Sequence, residues 1–381
     1  MNLIKGMLEG LNMTTKKITI PVAEPQFGQN ELAYVTDCIK TGWVSSKGKY
    51  VSRFEHAFAE FCGTKHGVAC FNGTIALHLV LAALNIGVGD EVIVPTLTFV
   101  ATANAVAYTG AKPVFVDSEP ETWCISPAGI EAAITSRTKA IIPVHLYGHP
   151  ADMDSIKEIA KKHNLIIIED AAEAHGATYK GLPVGSLGDA AIFSFMANKI
   201  ITTGEGGIVV TDDKAFAERC LFLENHARNP ESPYWHTEIG FNYRMTNLQA
   251  ALGVAQLEQI EKFIAVRRKN AAYYMARLDN IEGLTMPPNK DWADSVYWMF
   301  APLIEPEFGC DRDMVMLKLR EKGIESRPFF SPIHHMPMYN TGQSLPVAER
   351  LSATGINLPS GTTLTSEQID FVCDVLLEMR G

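Results

Sequence analysis

Between about residues 70 and 212, short continuous apolar runs alternate with stretches in which apolar residues recur every three or four positions. The runs cover 91–95, 113–117, 140–145, 165–170, 190–195 and 207–211. They are apolar almost throughout rather than at every second position, which predicts strands buried on both faces, as in a parallel sheet covered by helices. Residues 151–163 place Met153, Ile156, Ile159 and Ala160 on one stripe and predict a crossover helix. Ser126 before Pro127 predicts another helix start, because serine supplies a cap oxygen and proline fills a position whose amide has no partner. An apolar-striped segment over 248–264, with Leu252, Leu257, Ile260 and Ile264, leads out of this first unit. The expected fold class is α/β, a mostly parallel central sheet with a smaller C-terminal α+β domain. Residues 1–17 read as an N-terminal extension, 18–260 as the large domain and 261–381 as the small one. No repeat or low-complexity linker divides them, so the two domains are expected to pack closely.

Composition narrows the function. With 381 residues, 47% of them hydrophobic, the chain can bury a large core. A formal charge of −10 without a dense Lys/Arg block argues against nucleic acid as the main partner. An anionic small substrate stays compatible, since a few cations or a helix N-terminus can hold it. The seven cysteines are scattered, odd in number and never spaced C-x-x-C, so no disulfide framework or zinc knuckle is indicated and a reducing cytoplasm is expected. Met1–Lys17 breaks its apolar residues with Lys, Glu and Gly, unlike a signal peptide, and no stretch approaches a membrane span.

Candidate chemistry gathers at strand ends, where open α/β sheets bind ligands. Asp170 closes one apolar run, and its carboxylate is placed to keep the ring nitrogen of a pyridine cofactor protonated. A simpler reading makes Glu169 or Asp170 a cap for residues 171–174. The stretch Phe193-Ser194-Phe195-Met196-Ala197-Asn198-Lys199, followed by Thr203-Gly204-Glu205-Gly206-Gly207, puts a lysine at a strand mouth, where a neutral amine can form a Schiff base, and a serine hydroxyl within reach of a phosphate. Lysine beside glycines is ordinarily a surface residue; paired with Asp170 at the end of another strand, the functional reading prevails. Asn72-Gly73-Thr74 reads as a turn opening a helix, a phosphate site by virtue of its free amides.

These residues resemble the fold type I, pyridoxal 5′-phosphate-dependent sugar aminotransferases of the DegT/DnrJ/StrS type. The likeness runs from about Pro21 to the C-terminus. It rests on residues 169–176 (EDAAEAHG), Phe193–Phe195 through Lys199, residues 203–207 (TGEGG) and residues 240–247 (GFNYRMTN). The resemblance implies that Lys199 holds the cofactor and shuttles a proton, that Asp170 pairs with the pyridinium nitrogen, and that Glu173 lies near the cofactor's 3′-oxygen. It also implies that Phe99 stacks on the ring. The phosphate would be held by Gly73, Thr74, Ser194 and Asn242, the last from a partner subunit, which implies a homodimer with shared active sites. Met196-Ala197 and residues 225–228 depart from the family's usual pattern without removing a catalytic group.

Three further stretches resemble members acting on a GDP-linked 4-keto-6-deoxy sugar with L-glutamate as amino donor: Trp43–Gly48, Tyr234–His236, and 325–328 with 332–339. They offer Trp43, Ser46, Tyr234, His236, Arg327 and His334 as substrate residues. Trp43, Tyr234 and Trp235 are read equally well as dimer-core aromatics, and Arg327 as a structural ion pair. His334 and His335 have no third metal ligand at a helpful spacing, so no metal is expected. A sugar 3-dehydratase would carry histidine in place of Lys199, and an enzyme for UDP- or dTDP-linked sugars would differ in nucleotide preference. A nicotinamide oxidoreductase would need a G-x-G-x-x-G turn that the chain lacks. An inactive regulatory homologue would have little reason to keep Lys199, Asp170 and Ser194 together.

Overall fold

In the computed structural model, which describes residues 19–380 apart from 29, 230, 233 and 341, the apolar runs become the core of a seven-stranded sheet. The expected 1–17 extension lies outside the described residues. The strands are β1 (His66–Cys70), β2 (Glu91–Pro95), β3 (Lys112–Val116), β4 (Thr138–Ile141), β5 (Ile166–Asp170), β6 (Ala190–Ser194) and β7 (Gly207–Thr211). Their spatial order is β1-β7-β6-β5-β4-β2-β3. Strands β2 to β6 pair in parallel, whereas β7 runs antiparallel to both β1 and β6. The run expected over 140–145 starts and ends earlier as β4, because Pro143 interrupts pairing and the chain continues as a single bridge between Val144 and Asp170.

Alternation along each strand splits the core into two layers. Val68, Val92, Val94, Ile168, Ile192 and Val209 pack beneath α3 (Gly73–Ala83), α4 (Ala101–Tyr108) and α7 (Lys214–Glu224). Their neighbours Ala69, Ile93, Ile141, Ile167, Phe193 and Ile208 face the opposite layer, with Phe54 and Phe58 of α2 (Lys49–Phe61), Ile130 of α5 (Pro127–Ala133) and Ile156 of α6 (Met153–His163). Side chains stop and start these helices as read from the sequence: Ser126 accepts from the Gly129 amide with Pro127 in the first turn, and Asp152 caps α6.

The 248–264 segment is not one element. It forms nearly all of α8 (Asn247–Leu257), which has a Thr246–Gln249 capping box, and the start of α9 (Ile260–Leu278), with a break at Glu258–Gln259. Neighbouring α1 (Asn30–Thr41) and α2 hold that break: Glu258 accepts from Asn30, Tyr34 and Arg53, and Gln259 Nε2 donates to Glu31 at 2.9 Å. Helix α9 then joins the two cores, with Phe263 and Ile264 packed under the large sheet and Ala271, Tyr274 and Leu278 in a C-terminal cluster with Phe300, Val315 and Val372. Ile20 belongs to that C-terminal cluster through a bridge to Ile324, so the start of the described chain packs with its end. Among the described residues, no helix is long and apolar enough to cross a membrane.

Candidate active site

The carboxyl ends of β1, β2, β4, β5 and β6 and the start of β7 surround a cavity of about 350 Å³. Its wall brings together Gly73, Thr74, Phe99, Asp170, Glu173, Ser194, Lys199 and Arg327, which lie up to 254 positions apart in the chain (327 − 73). Strand pleat turns the two carboxylates ending β5 to opposite sides. Glu169 points away and accepts backbone amides of Gly185, Leu187 and Gly188 within 3.0 Å, a structural task. Asp170 points into the cavity, accepting a 2.8 Å bond from the Thr102 hydroxyl and a 3.2 Å bond from the Ala172 amide. Burial raises the Asp170 carboxyl above its usual range, while Thr102, Ala172 and Lys199 act in the other direction. A cation beside Asp170 would restore its charge.

Lys199 lies on the loop that joins β6 to β7. Phe195 N donates to Gly206 O, Thr203 N to Phe195 O, and Lys199 N to Met196 O at 2.9 Å, closing this loop on itself. The Nζ atom is 3.8 Å from Glu173 Oε1 and 3.8 Å from the centroid of the Trp298 ring. Burial lowers the Lys199 pKa, opposed by Glu173 and Asp170, which favours the neutral, nucleophilic amine. Burial likewise pushes Glu173 up to about 7. Its Oε2 accepts from the Tyr147 amide at 2.8 Å, an amide aimed inward by a left-handed φ of 51°.

The floor beside Ser194 is built on absent side chains. A Cβ on Gly73 would sit 2.9 Å from Ser194 Cβ, and one on Gly207 would collide with the Asn72 carbonyl group. Asn72 caps α3 by accepting from the Ile75 amide at 2.9 Å, so the first turn of that helix opens toward Ser194. The site therefore joins a buried amine, a buried carboxylate at a strand end and an anion-accepting helix start.

Other expected residues lie elsewhere on this chain. Asn242 is exposed on a segment paired with Asn225. Tyr234 and His236 line a separate surface groove with Arg228 and Arg244. Trp43 borders a surface pocket with Asp37 and Lys49, and Ser46 is half-buried nearby in sequence. His334, also expected among the substrate residues, does not line this cavity. It is fully buried outside the cavity, with Nδ1 2.7 Å from Thr96 Oγ1 and Nε2 facing Glu349 Oε1 at 3.2 Å. Arg327 is on the wall but is paired with Glu325 Oε1 at 2.9 Å. Sequence reasoning missed Thr102, Tyr147, Trp298 and Phe330. The first is one helical turn beyond Thr98, and the aromatic three stack on one another, with Tyr147 5.5 Å from Phe330 and 6.2 Å from Trp298.

The profile of the DegT/DnrJ/EryC1/StrS aminotransferase family matches residues 25–377. The chain is 49% identical to GDP-perosamine synthase of Caulobacter vibrioides and 48% identical to that of Escherichia coli O157:H7, over 94% of this chain and 97% and 98% of theirs. A Streptococcus pneumoniae protein solved in PLP and PMP forms superposes with TM-scores of 0.89 and 0.90 at 27% and 28% identity, covering 95% of this chain and 98% and 97% of the solved chains. With the site's geometry and a family match over nearly its whole length, this chain belongs to the DegT/DnrJ/EryC1/StrS aminotransferase family.

Proposed function

We propose that the chain is a pyridoxal 5′-phosphate-dependent aminotransferase that converts GDP-4-keto-6-deoxy-D-mannose to GDP-perosamine with L-glutamate as amino donor. The observation carrying this reading is the convergence of Lys199, Asp170 and Glu173 in one buried cavity of a chain so similar to GDP-perosamine synthases. The residues fit the cofactor. Gly73 and Gly207 leave the room that side chains would fill beside Ser194, and Asp170 is a buried carboxylate whose ionisation calls for a cation.

In this assignment Gly73, Thr74 and Ser194 hold the phosphate, Asp170 the ring nitrogen, Glu173 the region of the 3′-oxygen, and Phe99 covers the ring. Bound pyridoxal phosphate supplies an electron sink for the carbon that gains or loses the amino group. Lys199 Nζ, whose pKa burial lowers against the pull of Glu173 and Asp170, would hold the cofactor and carry the proton between it and the substrate carbon. Thr102 keeps Asp170 oriented, and the Tyr147 amide does the same for Glu173. Arg327 binds an anionic group of substrate once it leaves Glu325. Asn242, Trp43, Tyr234 and His236, all outside this chain's own cavity, would complete the site of a second copy in a homodimer. A cytoplasmic setting suits the nucleotide-sugar substrate.

Absorption of the purified holoenzyme tests the reading. Glutamate is expected to bleach the visible band of the lysine-held cofactor, and GDP-4-keto-6-deoxymannose to restore it. Restoration by a dTDP- or UDP-linked keto sugar alone would overturn the substrate while keeping the chemistry. A protein that shows no such band after incubation with the cofactor would overturn the chemistry itself.

A further inference from the structure

His334 and Glu349 are fifteen positions apart in the chain, yet the fold brings both, with His335, to one point. A short 3₁₀ turn, Ile333–His335, carries the two imidazoles, and the first turn of the helix Pro346–Thr354 carries the carboxylate. Glu349 Oε1 lies 3.2 Å from His334 Nε2 and 3.5 Å from His335 Nε2. These separations are long for N–H···O hydrogen bonds, whose mode is about 2.9–3.0 Å. They match the edge of a tetrahedron built on metal–ligand bonds of about 2.0–2.1 Å, which is about 3.3 Å. All three ligand atoms lie within 4.8 Å of one another. The exposed ring of His335 can turn to shorten the remaining edge, while His334 is buried and fixed.

The support behind the buried ligand is that of a metal site as well. Thr96 Oγ1 stands 2.7 Å from His334 Nδ1 and accepts a 3.3 Å bond from the His334 amide, orienting the ring so that Nε2 faces outward to Glu349. The Leu345 amide donates to Glu349 Oε1 at 2.9 Å and fixes the carboxylate from its own side. Two imidazoles and a carboxylate suit a borderline divalent ion of the zinc class, with water as the fourth ligand.

We propose that His334, His335 and Glu349 form a three-ligand site for a divalent transition cation of the Zn²⁺ class. The ion would close the chain between the 3₁₀ turn and the helix that follows it. Because Ile333 N donates to Thr96 O at 2.9 Å, the clamp also braces the end of β2, just before Thr98, Phe99 and Thr102. The site lies outside the catalytic cavity, so its test is independent of the aminotransferase reading.

The probe is Co²⁺ added to chelator-treated, dialysed holoenzyme and followed by its visible d–d absorption. One Co²⁺ per chain, with the intense band of four-coordinate cobalt and displacement by Zn²⁺, is the expected result. His335→Ala and Glu349→Gln, at exposed and half-exposed positions, should weaken binding more than about a hundredfold while leaving the metal-free melting temperature near that of wild type. Failure of wild type to bind stoichiometric Co²⁺ would overturn the site. So would a band of equal strength in both variants, which would place the metal away from these residues.

Discussion

Lys199 Nζ stands 3.8 Å from Glu173 Oε1, near enough for attraction between charges and too far for a hydrogen bond. The amine is therefore biased by the carboxylate without being tied to it, and Glu173 opposes the lowering of the lysine pKa that burial causes. Removing that charge should let the pKa fall further. In Glu173→Gln apoprotein, the pH dependence of Lys199 modification by an amine-selective acylating reagent, read by peptide mass mapping, is expected to shift to lower pH. A shift to higher pH would show that Glu173 does not act on the lysine through its charge.

Asp170 depends on Thr102 for one of its two hydrogen bonds. Thr102→Val removes a charge-assisted bond worth about 1.5–3 kcal/mol, so kcat/KM should fall roughly tenfold to a hundredfold. Asp170→Asn removes the charge itself and should lower turnover on the order of 10²–10³-fold. Steady-state kinetics of both variants at saturating cofactor measure the ordering; a larger loss in Thr102→Val than in Asp170→Asn would contradict it.

Glu224, at the end of α7, has a buried Oε2 with no hydrogen-bond partner among the described residues. Burial first, and the neighbouring Glu55 second, push its carboxyl up from 4.5 to about 9, against the attraction of Arg244. The folded chain thus keeps a proton that the unfolded chain releases above pH 4.5. Its contribution to stability is full below that pH and is lost as pH rises to about 9. Glu224→Gln should leave the melting temperature nearly unchanged at about pH 5 and raise it relative to wild type increasingly toward about pH 9. Parallel melting curves across that range would refute the shift.

If Asn242 serves the site of a second copy, then Lys199→Ala and Asn242→Ala disable a site from opposite subunits. Each variant alone should be impaired, Lys199→Ala by at least about a thousandfold. Unfolding and refolding the two together should regenerate activity, because every mixed dimer holds one site with both residues intact. An absence of recovery in refolded mixtures that are dimeric by light scattering would show that one subunit supplies both Asn242 and Lys199 to its own site, or that Asn242 serves none.

The sheet was legible because β2, β3, β6 and β7 are apolar at most positions and β4 and β5 lie within the apolar runs 140–145 and 165–170. Strand β1 was not, since His66-Gly67-Val68-Ala69-Cys70 has a single β-branched residue and reads as a loop without its partner β7. The break at Glu258–Gln259 was equally hidden, because contacts from α1 and α2 make it rather than a proline or glycine in the segment. Lys199, Asp170 and Ser194 stood out as polar residues at the mouths of apolar strands. The aromatic wall of Tyr147, Trp298 and Phe330 did not, for its members come from separate elements and share no local spacing. The surroundings of His334 were hidden for the same reason: Thr96 and Glu349, which face its two ring nitrogens, are remote in sequence.

Strand β7 runs against its neighbours, so the chain leaving β6 at Ser194 returns at Gly207 directly opposite. The parallel strands are joined by connections that travel to the far edge of the sheet and back, and these can lengthen or shorten there without disturbing the cavity. The loop carrying Lys199 has no such far side. Both of its ends are pinned at the rim, and any inserted or deleted residue must be absorbed within reach of Asp170. Length variation among related chains should therefore collect in the crossovers and spare residues 195–206, making this loop the ruler against which the rest of the site is set.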